Sequence, residues 1–96
     1  MVRLSELEFF AIYLGESGHF FAGIPQTIDP HPAPPQYIEA LDSLRGKCEA
    51  IHTDTRRSEF TVRDDGISYR VSMLVSIAET IYVLRRFPPK VPELAT

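Results

Sequence analysis

Three arginines are the residues of this chain best equipped for chemistry: Arg70, Arg85 and Arg86. A guanidinium stays charged at physiological pH, and its planar fork of N–H donors matches the oxygens of phosphate or carboxylate. Arg70 lies in "GISYRVSM", where it interrupts the outward face of an alternating run. Arg85 and Arg86 are adjacent in "YVLRRFPPKVPEL". Side chains on a strand alternate with a period of two, so these neighbours should point to opposite faces. Two uses are open for such arginines. Their stems can cover apolar sheet surface while the heads stay in water. Alternatively, a guanidinium held on a rigid strand can be aimed at an anion such as a phosphate.

The other reactive residues carry less. Cys48 and His52 are four apart and would share a helix face, but zinc needs three or four ligands. They read as a buried thiol beside a surface histidine. His19 and His31 lie in unrelated contexts, and a turn accounts for Asp64–Asp65. The sequence has no G-x-x-x-x-G-K-[ST] and no G-x-G-x-x-G, and no serine sits in a nucleophile-elbow pattern. The chain by itself is therefore expected neither to bind nor to hydrolyse ATP, and to hold no metal or cofactor.

These residues must be positioned by one small domain, since 96 residues leave no room for a second. Hydrophobic residues make up 44% and charged residues 24%, an ordinary globular balance that argues against disorder. The net charge of −3 is not that of a general nucleic-acid binder. A single cysteine excludes an internal disulfide, and "FFAIYL" is too short to span a membrane. No signal-peptide pattern is present, so the expected location is cytoplasmic.

"LEFFAIYL" (7–14) reads as a strand ending at the turn "GESG". "HFFAGI" (19–24) reads as a second strand broken by Pro25, with a short third around Gln26–Ile28. "DPHPAPP" (29–35) is an extended connector whose last proline suits the first turn of a helix. That helix is expected from Pro35 to Arg45, with Ile38, Leu41 and Leu44 as its apolar stripe and Gly46 as its stop. Residues 47–57 give no readable element. Asp65–Gly66 then predicts a two-residue hairpin turn. Beyond it, Ile67, Tyr69, Val71, Met73 and Val75 share one face, while Ser68, Arg70, Ser72 and Ser76 share the other, with Leu74 as the exception. "TIYVLRRF" (80–87) is the final strand. The order β-β-(β)-α-β-β-β predicts an α+β fold, one antiparallel sheet with a helix on one face.

At these residues the chain resembles the N-terminal domain of secretion-superfamily hexameric ATPases, in particular PilT-like, DotB-like and conjugative TraJ-like members. "LSELEF" (4–9) looks like the family's opening strand, "GISYRVSM" (66–73) like its hairpin strand, and "PPQYIEALDSL" like its helix. "YVLRRFPPKVPEL" is similar to its last strand and linker. "SIAET" (76–80) and the region 10–28 depart from the family pattern, which fits a divergent plasmid or secretion-system member.

The resemblance implies a PAS-like sheet over residues 1–87 and a proline-rich linker over 88–96. The linker would lead to a RecA-like motor domain, of the same or a neighbouring subunit, in a homo-hexamer. That motor domain would supply the phosphate loop, ATP and magnesium, while Arg70, Arg85 and Arg86 would approach the nucleotide. No nucleic acid and no direct membrane insertion are implied, and the place of work would be the inner-membrane face of a secretion or pilus machine. The rival readings are a free-standing PAS-like ligand-binding module and a protein-interaction domain. A cavity lined by Phe9, Phe20, Phe21 and Tyr69 would favour the ligand-binding module. A filled core with an exposed sheet face around Arg70 would favour the ATPase domain.

Overall fold

The computed structural model describes residues 3–7, 9–23 and 30–87. Register in its C-terminal half is set at Asp65–Gly66, whose φ angles are 52° and 78°. Two successive positive φ values are what a tight hairpin turn needs to match the twist of its strands. The turn joins β4 (Glu59–Asp64) to β5 (Ile67–Val75), with Asp64 opposite Ile67 and Thr61 opposite Arg70. A second tight turn leads from β5 into β6 (Thr80–Phe87). There the Ser76 N–H donates to the Glu79 carbonyl at 3.0 Å, which places Arg70 opposite Arg85.

The N-terminal half contributes β1 (Ala11–Leu14), β2 (Phe20–Gly23) and β3 (His31–Pro32). The six strands form one antiparallel sheet in the order β3-β2-β1-β6-β5-β4. The first and last long strands thus meet at its centre, with Ile12 opposite Leu84. The helix α1 (Ile38–Thr55) joins the two halves and packs on one face, giving the α+β architecture expected from the sequence. The alternation in β5 holds as well. Tyr69 and Val71 are buried on the helix side with Leu84, Ile12 and Leu14, against Leu41, Leu44 and Cys48 of α1. Each fully buried aliphatic side chain contributes about 1.5–3 kcal/mol relative to exposure.

Three expectations need correction. The first strand starts at Ala11 rather than at residue 7. Before it, a 3-10 turn at Leu4–Glu6 is closed by the Arg3 N–H donating to Glu6 Oε1 at 2.8 Å. Leu4, Leu7 and Phe9 enter the core from this turn and the segment after it. The proline-rich connector is not only a connector. His31–Pro32 pairs with β2 as the edge strand, where a residue without an N–H is tolerated.

The helix also does not stop at Gly46. It runs through to Thr55, after a 3-10 turn at Pro35–Tyr37 that starts on the expected proline. Glycine costs a helix only about 1 kcal/mol. Cys48, a small buried hydrophobe, continues the stripe of Leu41 and Leu44 one turn further. The end comes at Arg56, whose φ of 59° lets its N–H donate back to the His52 carbonyl at 2.8 Å. The third strand expected at Gln26–Ile28 and the linker 88–96 lie outside the described residues. Among those described, no helix is long and apolar enough to cross a membrane.

Candidate functional site: an open arginine face

The last two strands sort the three arginines. Arg70 and Arg85 form a directly opposed pair on the sheet face away from α1. The bond between Ser76 and Glu79 fixes the phase of this ladder, so Arg70 and Arg85 exchange backbone hydrogen bonds with each other. In such a pair the Cα atoms are about 5.5 Å apart and the side chains leave the same face. Like charges directly opposite are unfavourable in a sheet, and no carboxylate forms an ion pair with either arginine among the described residues.

Arg70 is held by an aromatic neighbour instead. Its guanidinium carbon lies 4.6 Å from the centroid of the Phe87 ring. A cation–π contact of this kind holds the group over the ring face while leaving N–H donors available. Around the two arginines lies an open groove of about 490 Å³, lined also by Glu59, Thr61 and Ser72. The donors available to a ligand there are two guanidinium groups and two hydroxyls, with Glu59 as the one opposing charge. Such a set suits a multiply charged anion of modest size. Among the described residues no group of three His, Cys, Asp or Glu side chains is placed to hold a metal ion.

Arg86 points the other way, as the period of two predicts, and its Nη2 is engaged, whereas its Nε is buried without a partner among the described residues. Its Nη2 donates to the backbone carbonyls of Leu4, at 3.0 Å, and Leu7, at 2.6 Å. Its guanidinium carbon sits 4.3 Å from the Phe9 ring centroid. Phe9 in turn stacks on Tyr69, with centroids 6.3 Å apart. Arg86 therefore clamps the N-terminal turn to the sheet, on the face opposite Arg70 and Arg85. The structure brings two of the three sequence-predicted arginines together and places Arg86 on the opposite face.

The remaining candidates fall into structural roles. Cys48 is fully buried, and burial pushes its thiol up to about 12, despite the opposing pull of Arg45. A thiol held neutral is a poor nucleophile and a poor ligand. The His52 ring lies 3.0 Å from the Arg57 carbonyl through Nδ1, at the helix end. Asp65 pairs with Arg3, which holds its carboxyl below the usual range, and Asp64 pairs with Lys47. Both aspartates thus brace the turn that they help to form. His19 and His31 are exposed.

The groove residues Glu59, Thr61 and Ser72 are absent from the sequence-based candidates. Thr61 was within reach of them, because the Asp65–Gly66 turn alone dictates that Thr61 stands opposite Arg70. The four aromatics Phe9, Phe20, Phe21 and Tyr69 do not line one cavity. Phe9, Phe20 and Tyr69 are packed in the core, whereas Phe21 is exposed. Its partner Tyr13 faces Val83, so Phe21 belongs to the arginine side of the sheet. Compared with known proteins, the chain matches no family model, no curated protein and no solved structure.

Proposed function

We propose that this domain presents Arg70 and Arg85 to the phosphate groups of a nucleotide held by a separate motor domain, as the N-terminal domain of a secretion-, conjugation- or pilus-type hexameric ATPase. One observation carries the reading: two opposed arginines, unpaired among the described residues, share an open groove on the sheet face away from the packed core. Evolution of a sheet surface for solubility alone has no need of two like charges at directly facing positions. Their use becomes clear if a polyanion arrives between them. The packed aromatic core speaks for this reading over a small-molecule module, because Phe9, Phe20 and Tyr69 fill the space that a ligand would need.

In this reading the chain performs no catalysis by itself. ATP and magnesium are bound by the RecA-like domain of the same or a neighbouring subunit. The two guanidiniums offset charge that develops on the phosphoryl oxygens during transfer. Arg86 keeps the N-terminal turn in place and does not reach the nucleotide. The test uses the assembled hexamer that carries this domain ahead of its motor domain. Arg70→Ala should assemble normally and lose most ATP turnover. Arg70→Lys should be nearly as defective, because lysine cannot reproduce the planar fork or the stack on Phe87. Wild-type turnover in Arg70→Lys would reduce the site to a diffuse positive field.

A further inference from the structure

The edge strand β4 carries a second, independent signal. It has the sheet's last position, with β5 on one side only. The Met73 N–H donates to the Ser58 carbonyl at 2.9 Å, which fixes the phase of the β4–β5 ladder. Alternate residues Phe60, Val62 and Asp64 then bond to β5. Glu59, Thr61 and Arg63 aim their backbone N–H and C=O groups outward, away from the sheet. All three residues are exposed, and neither Glu59 nor Arg63 has an ion-pair partner among the described residues.

We propose that β4 is the pairing edge of a symmetric dimer of this chain, with two β4 strands joined antiparallel about Thr61. The occupant follows from charge complementarity. Only outward-facing residues can exchange backbone hydrogen bonds, which restricts the registers to alternate ones. Centring on Thr61 opposes Glu59 of each copy to Arg63 of the other, twice, and Thr61 to Thr61. On the helix side it sets Phe60, half-buried at the edge, against Val62 of the second copy. Centring on Phe60 would oppose Arg57 to Arg63, a like-charge pair. Centring on Val62 would oppose Phe60 to Asp64. The favoured register alone gives opposite charges on one face and apolar pairs on the other, the combination that stabilises facing strands. A twofold axis through Thr61 makes the contact self-complementary and closed. The pairing leaves the groove at Arg70 and Arg85 open on the face, so it stands or falls separately from the nucleotide reading.

Sedimentation equilibrium of the 96-residue chain, from about 1 µM to about 1 mM (the weak-to-moderate association range), measures the pairing directly. The mass should rise from 10.9 kDa toward twice that value. Glu59→Arg alone and Arg63→Glu alone should each weaken association by about ten-fold or more, since each creates two like-charge pairs. The double variant Glu59→Arg/Arg63→Glu should recover to within about three-fold of the wild type, because the opposite-charge pairs are restored. Thr61→Pro removes an outward N–H that β5 does not use, so it should abolish the dimer and leave the melting curve intact. If that variant unfolds, the charge-reversal set still decides. A mass fixed at one chain throughout, single reversals without effect, or a double variant that stays monomeric would each overturn the proposal.

Discussion

Arg85 and Arg86 are adjacent in the chain and identical in type, yet they have opposite fates. On the helix side, Arg86 gives Nη2 to two backbone carbonyls and lies over an aromatic ring. On the other side, Arg85 stands opposite Arg70 in an open groove, with no carboxylate paired to either among the described residues. Composition and charge cannot separate the two residues. The side-chain period of two does so, once the strand is packed against a helix on one face only. The lesson is that burial and hydrogen-bond partners, rather than residue type, decide whether an arginine builds the fold or remains available for function.

The comparison breaks most visibly in stability. Arg86→Ala removes two charge-assisted hydrogen bonds and leaves the Leu4 and Leu7 carbonyls without that donor, which should cost about 2–4 kcal/mol. For a domain of this size that lowers Tm by roughly 10–25 °C. Arg85→Ala should change stability by less than about 0.5 kcal/mol, as surface substitutions do. Thermal melts of the two variants side by side check the contrast. Equal losses would erase the distinction between the faces.

A smaller effect sharpens the closed side. The Tyr69 hydroxyl is buried without a hydrogen-bond partner among the described residues. Burial pushes its pKa up to about 12 from an ordinary 10.0. The neutral phenol is thus favoured in the folded state. The sign follows: this contribution is fully present below pH 10 and is lost as pH rises toward 12. Tyr69→Phe keeps the ring and removes the stranded hydroxyl. It should be neutral or stabilising by up to about 1 kcal/mol, and it should flatten the decline in stability above pH 10. Denaturant melts across alkaline pH measure both. A loss of more than about 2 kcal/mol, the scale of network damage, would show that the hydroxyl is well bonded after all.

Gly46 gives the smallest effect, on the solvent side of α1. It is exposed, and a Cβ placed there meets nothing within 4 Å. Gly46→Ala should stabilise the chain by about 0.5–1 kcal/mol, seen as a small rise in Tm. Destabilisation would mean that this strip of helix is covered in solution.

Much of this organisation was legible in the residues. The Asp65–Gly66 turn, the alternation from Ile67 to Val75 and the final strand over 80–87 are local signals, and each survived folding. The parting of Arg85 and Arg86 followed from periodicity alone. What failed was long-range or marginal. Gly46 looked like a helix end because local propensity opposes it, whereas the burial of Cys48 carries the helix past it. The pairing of His31–Pro32 with β2 depends on contact with another strand and leaves no pattern in two residues. The clamp on the N-terminal turn was equally invisible, because it joins Arg86 to carbonyls about eighty residues away. The facing of Arg70 and Arg85 needed the register of the Ile77–Ala78 turn, which lacks the glycine that makes Asp65–Gly66 readable.

The most direct test of the central claim, that the open face is the functional one, is the ATP turnover of the proposed hexameric ATPase bearing Arg85→Ala, measured on rings shown to be assembled. An arginine free of structural duty and aimed at phosphoryl oxygens should cost about 2–4 kcal/mol of activation when removed, the scale of a lost transition-state donor. That is a fall in turnover of roughly 30- to 1,000-fold with Tm unchanged. Normal turnover in intact rings would contradict the account and return Arg85, with Arg70, to the role of solvated sheet surface.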